Sequence, residues 1–231
     1  MDVLEAIQNR RTARSFNKVP VEFDKISLIL EAGTHAPSSG NLQNWKFIVV
    51  TNKKEIKEIH NYCLDQVWMS EAPVLIIVCA LPEKVENKFG LRGERLYSVQ
   101  NIAACTENML LTAHALELGA AWVGAFDEDK IRSIFSIPEE ARPQSIIALG
   151  YSDYEYPEKI MQPLESQVYF NSYGTTIKHL NRTLKEYNKD VQRITAQVSE
   201  NANEAVNSAS KFLKEKFEIF KQNVQDLLEL K

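Results

Sequence analysis

Arg10, Arg11, Thr12 and Arg14 crowd into one short stretch near the start of the chain. Guanidinium groups this close repel one another unless something negative sits among them. Their forked N–H groups suit a phosphate and also reach carbonyl oxygens lying in a plane. Arg10 and Arg14 stand four positions apart and would share a face if the first helix ran on through them. A second polar cluster reads Pro37-Ser38-Ser39-Gly40-Asn41-Leu42-Gln43-Asn44-Trp45. Small residues let backbone approach a ligand closely. Asparagine and glutamine offer donors and acceptors side by side, which suits the edge of a heterocycle. Each cluster also has a plainer reading. The arginines could be a solvated charge run, and the second stretch a polar loop rich in turn formers, with Trp45 in the core. Taken together, the two clusters point to an anionic, planar ligand.

Other chemistries have no visible machinery. The chain lacks GxSxG, a P-loop, HExxH and GxGxxG. His35, His60, His114 and His179 are scattered without ligand spacing, so no metal site is expected. Cys63, Cys79 and Cys105 are odd in number and show no CxxC pair, so they read as buried structural thiols. A net charge of −4 gives no basic footprint and argues against nucleic-acid binding. Hydrophobic residues at 44% and charged residues at 25% are the balance of an ordinary globular protein. No apolar run approaches the roughly 18 residues that would span a bilayer. The opening MDVLEAIQNRR lacks the apolar stretch of a secretion signal, so a cytoplasmic location is expected.

The periodicity then lays out elements that could position these residues. Residues 3–8 read as a short helix, and 23–33 as a helix closed by Gly33. Strands are expected at 46–51, 74–80 and 145–150, with a short strand or loop at 121–126. Residues 53–65 form an amphipathic helix. Residues 83–94 are polar and punctuated by glycine, and read as a mobile surface loop or lid in which Arg92, with Arg95 just beyond, could meet an acidic substrate. Residues 96–118 are apolar nearly all round and should form a central buried helix ended by Gly119. Asp127 caps a helix running to Phe135. This alternation gives an α+β (α/β) class with a mixed sheet. Residues 151–173, rich in tyrosine and proline, read as an extended crossing segment. From 175 to 231 the chain has neither proline nor glycine, and apolar residues recur in steps of three and four. That is a long amphipathic helix with weak heptad, coiled-coil character. It either packs on its own dimer or docks another protein.

In order and spacing these pieces resemble the FMN-dependent nitroreductase family. The resemblance rests on "RRTARSF", "APSSGNLQNWKFIVV", "YSVQNIAACTENMLLTAHALELG", "AAWVGAF" and "ALGYSDYEYPEKIMQPLESQV", and it covers about residues 1–175. It implies a nitroreductase-like mixed sheet surrounded by helices in a domain of residues 1–178, with 179–231 as a helical extension. It also implies a homodimer carrying FMN at the interface. Arg10, Arg11, Thr12 and Arg14 would hold the flavin phosphate and the N1 edge of its ring. Pro37, Ser38, Ser39, Asn41 and Gln43 would come from the other subunit. Val123, Gly124 and Ala125 would lie against the ring, with the Gly124 amide near N5. Lys159 is the available candidate for completing the phosphate site. Asn44 stands where relatives carry proline, a change expected to affect only local backbone. The implied activity is NAD(P)H-driven ping-pong reduction of nitroaromatics, quinones or other electron-poor small molecules, with no catalytic side chain required. Dehalogenation, dehydrogenation or flavin fragmentation on the same scaffold is the alternative, as is a dimeric flavoprotein platform whose C-terminal helix binds a partner.

Overall fold

A computed structural model of the chain describes residues 1–176, so the helix expected beyond residue 178 lies outside the described residues. Residues Met1–Pro157 form one compact unit, and a second unit begins at Glu158. The first unit runs α1 (Val3–Asn9), α2 (Phe23–Thr34), β1 (Trp45–Val50), α3 (Lys53–Ile59), β2 (Val74–Ala80) and α4 (Pro82–Arg92). It continues through α5 (Ser98–Ala115), β3 (Gly119–Val123), α6 (Glu128–Phe135) and β4 (Arg142–Gly150). None of the described helices is long and apolar enough to cross a membrane.

The four strands pair in the order β1-β2-β4-β3, each pair antiparallel. Among the described residues the parallel element that makes the sheet mixed is a single bridge from Thr12 to Ala120. β2 is buried along its whole length, as its unbroken apolar run VLIIVCA requires. Its alternate residues feed two cores. Val74, Ile76, Val78 and Ala80 meet Ile26 and Ile29 of α2 and Ile102, Cys105 and Met109 of α5. Leu75, Ile77 and Cys79 face the other way, toward Ile56 and Ile59 of α3 and Ile131 of α6. Gly33 lets α2 and α5 close up, because a Cβ there would sit 2.9 Å from the Met109 side chain.

Several ends are set by local chemistry. Asp2 and Glu5 form a reciprocal capping box on α1. Asp127 accepts from the Lys130 amide at 3.0 Å and starts α6. Two expectations are corrected. Residues 83–94 are not a surface loop. Pro82 at the first turn starts α4, which is interrupted at Gly90 (φ 64°) and passes into a π-helical turn at Gly93–Tyr97. The glycines read from sequence as breakers are absorbed there as a kink and a close contact. Nor does Gly119 end α5. The last turn closes at Leu116 and Glu117 takes the left-handed conformation (φ 64°), leaving Gly119 to open β3.

The three thiols are buried and unbridged. Burial pushes Cys63 and Cys79 up to about 11 and Cys105 up to about 12, so they are neutral at ordinary pH. Native protein at pH 8 is therefore expected to resist iodoacetamide for minutes, while all three thiols alkylate in concentrated guanidinium. Mass spectrometry of the two samples checks this.

On the surface, Arg142 grips Glu128 with two hydrogen bonds of 2.8 and 2.7 Å. Those bonds are the main cause holding the Glu128 carboxyl below its ordinary range, against a smaller opposing effect of desolvation. A depressed carboxyl contributes stability above its ordinary value and loses it as pH falls through the native value. Because both side chains are substantially solvated, the contribution is about 0.5–1 kcal/mol at neutral pH. Glu128→Gln should lower the urea midpoint slightly at pH 7, and the difference should shrink as pH falls below the ordinary carboxylate range and vanish only below the lowered native value.

Candidate functional site

Helix α1 stops where Arg10 turns to extended backbone (φ −52°, ψ 134°), so Arg10 and Arg14 do not share a helical face. Residues 10–14 instead run along the edge strand β3. Thr12 bridges Ala120, and the Ala13 amide donates to the Ala120 carbonyl at 3.0 Å. Ala13 is fully buried. Its close docking requires Gly119, since a Cβ at that position would lie 2.7 Å from the Ala13 Cβ.

The three arginines have different surroundings. Arg10 Nε pairs with Glu107 Oε1 of α5 at 3.4 Å. Arg11 folds back, and its Nη1 donates to the carbonyls of Gln8, Asn9 and Arg10 at 3.0, 2.9 and 3.2 Å. Its Nε reaches the Pro157 carbonyl at 3.4 Å. Arg11 thereby satisfies the open C-terminal carbonyls of α1, which favour a positive charge. Arg14 is exposed, with its guanidinium 5.9 Å from the centre of the Trp68 ring.

β3 also carries the third predicted group. Val123 is its buried last residue, and Gly124 and Ala125 follow, both exposed. Thr12 pairs three residues before Val123, so Thr12 itself stands about 10 Å from Val123 along the strand, and the parallel direction carries Arg14 toward the 123–125 backbone. The chain's own packing does not require glycine at 124: a Cβ there would meet nothing nearer than Trp122 Nε1 at 3.7 Å.

The polar loop is tightly built. Ser38 Oγ accepts from the Gln43 amide at 3.0 Å, and Asn41 Oδ1 accepts from Gln43 Nε2 at 3.0 Å. Gly40, Asn41 and Gln43 all take positive φ (60°, 57° and 46°), where glycine and asparagine pay least. Pro37 is exposed. The loop is pinned from below. The amide and hydroxyl of Ser39 both donate to Asn101 Oδ1, at 2.9 and 3.2 Å. Asn101 Nδ2 donates to Asn44 Oδ1 at 2.8 Å, and Asn44 Nδ2 donates to Ser98 Oγ at 2.9 Å.

This corrects the expectation for Asn44. Its side chain is fully buried and extends the network into α5, so the residue does more than adjust local backbone. Ser98 and Asn101 were not picked out from the sequence. Their signal was there: two polar residues three apart on the mostly apolar buried face of the helix. Trp45 is buried, as its core reading requires. From α4, Lys88 Nζ reaches the Gly40 carbonyl at 3.5 Å.

The sheet order decides which of these groups meet. The loop enters β1 at one edge of the sheet, and the arginine segment and residues 123–125 lie on β3 at the other, with β2 and β4 between. Three strand spacings put roughly 14 Å between the two edges. Lys159 falls in the second unit and is exposed.

The order of these pieces along the chain is matched by a family model. The description "Nitroreductase family" fits residues 7–71 and 64–151. The chain belongs to the nitroreductase family. A Methanothermobacter thermautotrophicus relative, provisionally named as an NADH dehydrogenase/NAD(P)H nitroreductase, is 40% identical over 158 residues, covering 65% of this chain and 78% of its own. A Bacillus subtilis FMN reductase [NAD(P)H] is 27% identical over 221 residues, covering 89% of this chain and 85% of its own. Among solved structures, an FMN-dependent nitroreductase from Clostridium difficile superposes with a TM-score of 0.64 at 26% identity, over 74% of this chain and all of the other. The nitroreductase fold therefore extends over the first compact unit, where every predicted site residue except Lys159 is found.

Proposed function

We propose that this nitroreductase-family protein is an FMN-dependent NAD(P)H oxidoreductase that works as a homodimer, each FMN held between the arginine segment of one subunit and the 37–43 loop of the other. The observation that carries the reading is the separation of the two clusters to opposite edges of one sheet. A single chain presents half of a clasp at each edge, and two copies related by a twofold axis can bring unlike halves together. Apolar side chains left bare on α1 and α2 favour such an association: Val3, Leu4 and Phe23 are 71%, 68% and 75% exposed.

The donor set fits FMN. Arg10 and Arg14 supply charge-assisted donors for a phosphate and for an electron-rich ring edge. Gly124 gives an exposed stretch of main chain on which a flat ring can rest. Thr12 adds a hydroxyl, and the loop adds the amides of Asn41 and Gln43. Lys159 remains the candidate for the phosphate end. When bound, FMN supplies the redox chemistry, taking a hydride from NAD(P)H and passing electrons to an electron-poor small molecule such as a nitroaromatic or a quinone.

The chain's own contribution is position and charge. Arg11 fixes the end of α1, and so the point where the arginine segment leaves it. Glu107 restrains Arg10. Arg14 keeps positive charge beside the ring, where it favours added negative charge. The Gly124 amide would donate toward the ring. No acid or base side chain is assigned, and solvent supplies protons. A need for NAD(P)H fits a cytoplasmic location.

Rapid mixing tests the reading. Purified protein should be yellow, release FMN on denaturation, and bleach when NADH or NADPH is added without oxygen. Colour should return on adding a quinone. Bound flavin that neither nucleotide bleaches would overturn the proposal.

A further inference from the structure

A cleft of about 490 Å³ opens between α3, the turn at Val67–Glu71 and the chain following Phe16. None of the residues assigned above to FMN lines it. Its floor is apolar, made by Phe16, Ile56, Ala72 and Pro73. Its rim carries Lys18, Lys53 and Lys57. Lys53 and Lys57 are four apart on α3 and so project from the same side of that helix. None of the three lysines is in an ion pair among the described residues. Glu71 is the single carboxylate in the lining, leaving the cleft net positive in a chain whose overall charge is −4.

The size falls within the range of small-molecule sites, and an apolar floor with a few convergent charges is how such sites are built. Three like charges around one opening repel, and the repulsion is relieved by an anion. We propose that this cleft is a second binding site, distinct from the flavin site, for a small organic anion. Its ligand has a flat apolar body that lies on Phe16, Ile56 and Pro73, and a phosphate or carboxylate that meets the three ammonium groups. Lysine suits this role as a set of mobile point charges rather than a rigid fork. Phe16 also packs on Trp68, their ring centres 6.4 Å apart, and Trp68 lies under Arg14. Occupancy of the cleft is thus two side chains away from the flavin-binding arginine.

Calorimetric titration of the FMN-loaded, full-length protein with 1-naphthyl phosphate, 1-naphthoate and neutral 1-naphthol tests this. Both anions should bind more tightly than 1-naphthol, and their binding should weaken as salt is raised. The stronger of the two identifies whether phosphate or carboxylate is the preferred head group. The double variant Lys53→Gln/Lys57→Gln should weaken anion binding at least tenfold while leaving FMN content and NAD(P)H-driven turnover at the wild-type level. The proposal is overturned if 1-naphthol binds as tightly as the anions, or if the double variant binds 1-naphthyl phosphate as the wild type does.

Discussion

Replacing Asn101 with leucine is expected to lower stability by about 2–5 kcal/mol and to weaken FMN binding in the same protein. Leucine keeps the branched outline of asparagine but can neither donate nor accept, and its greater bulk adds crowding at a buried position. Asn101 accepts from the Ser39 amide and hydroxyl and donates to Asn44. Leucine leaves the Ser39 amide and Asn44 Oδ1 without partners. A fully buried orphan costs about 1–3 kcal/mol, and because Ser39 is only half-buried the two together come to about 2–5 kcal/mol. The functional effect follows because Asn101 is what holds residues 37–43 to α5. A loop released from that anchor must be ordered again when ligand binds. The FMN dissociation constant should therefore rise about 10- to 100-fold, the equivalent of about 1.4–2.8 kcal/mol. Urea unfolding of the apoprotein and a flavin fluorescence titration read the two effects separately. Unchanged values of both would remove the loop from the account.

The second large effect is expected at the other edge of the sheet. Gly119→Val should displace the arginine segment. A Cβ at 119 meets the Ala13 Cβ at 2.7 Å and the Ser152 Cβ at 3.0 Å. Neither atom can rotate away, because each is fixed directly to backbone. The strand and the segment must therefore move apart, at a cost of about 1–3 kcal/mol, with valine's methyl groups adding to the crowding. The bond from the Ala13 amide to the Ala120 carbonyl lies beside the clash and should lengthen or break. Arg10, Thr12 and Arg14 move with it. FMN content after purification should fall below about a tenth of wild type, a loss of at least about 1.4 kcal/mol in binding. A matched control is Gly124→Ala, where the chain itself has room for a Cβ. The control should fold with wild-type stability yet bind FMN more weakly if, as proposed, the ring rests there.

The elements that decide the fold were legible because their patterns are strong. β2 announces itself as seven apolar residues in a row and is buried throughout. α6 begins at the aspartate that caps it. The errors came where one residue type serves two structural ends. Gly90 and Gly93 read as loop markers, yet Gly93 is demanded by packing, since a Cβ there would sit 2.6 Å from the Val85 carbonyl oxygen. Glu117 holds a left-handed position usually given to glycine, so the end of α5 was displaced toward Gly119.

The candidate site was legible as two clusters but not as a geometry. That Arg11 would turn back on α1 while Arg14 stays exposed depends on Arg10 leaving the helix, which no local signal marks. The role of Asn44 was hidden for a related reason. Its partners Ser98 and Asn101 lie more than fifty positions away, and a buried polar network is visible only once the helix is docked.

The account rests on a flavin clasped by unlike halves of two subunits, and subunit complementation measures that directly. One chain carries Arg14→Glu, which reverses a charge proposed to hold FMN. The other carries Ser38→Tyr, which fills the space where the loop should close. Each variant alone should be dimeric and colourless. A heterodimer isolated with two different tags has one seam with both lesions and one with neither. It should recover about half the wild-type FMN content and about half its NAD(P)H-driven turnover. A heterodimer as colourless as its parents would place both halves of the site in one chain and contradict the account.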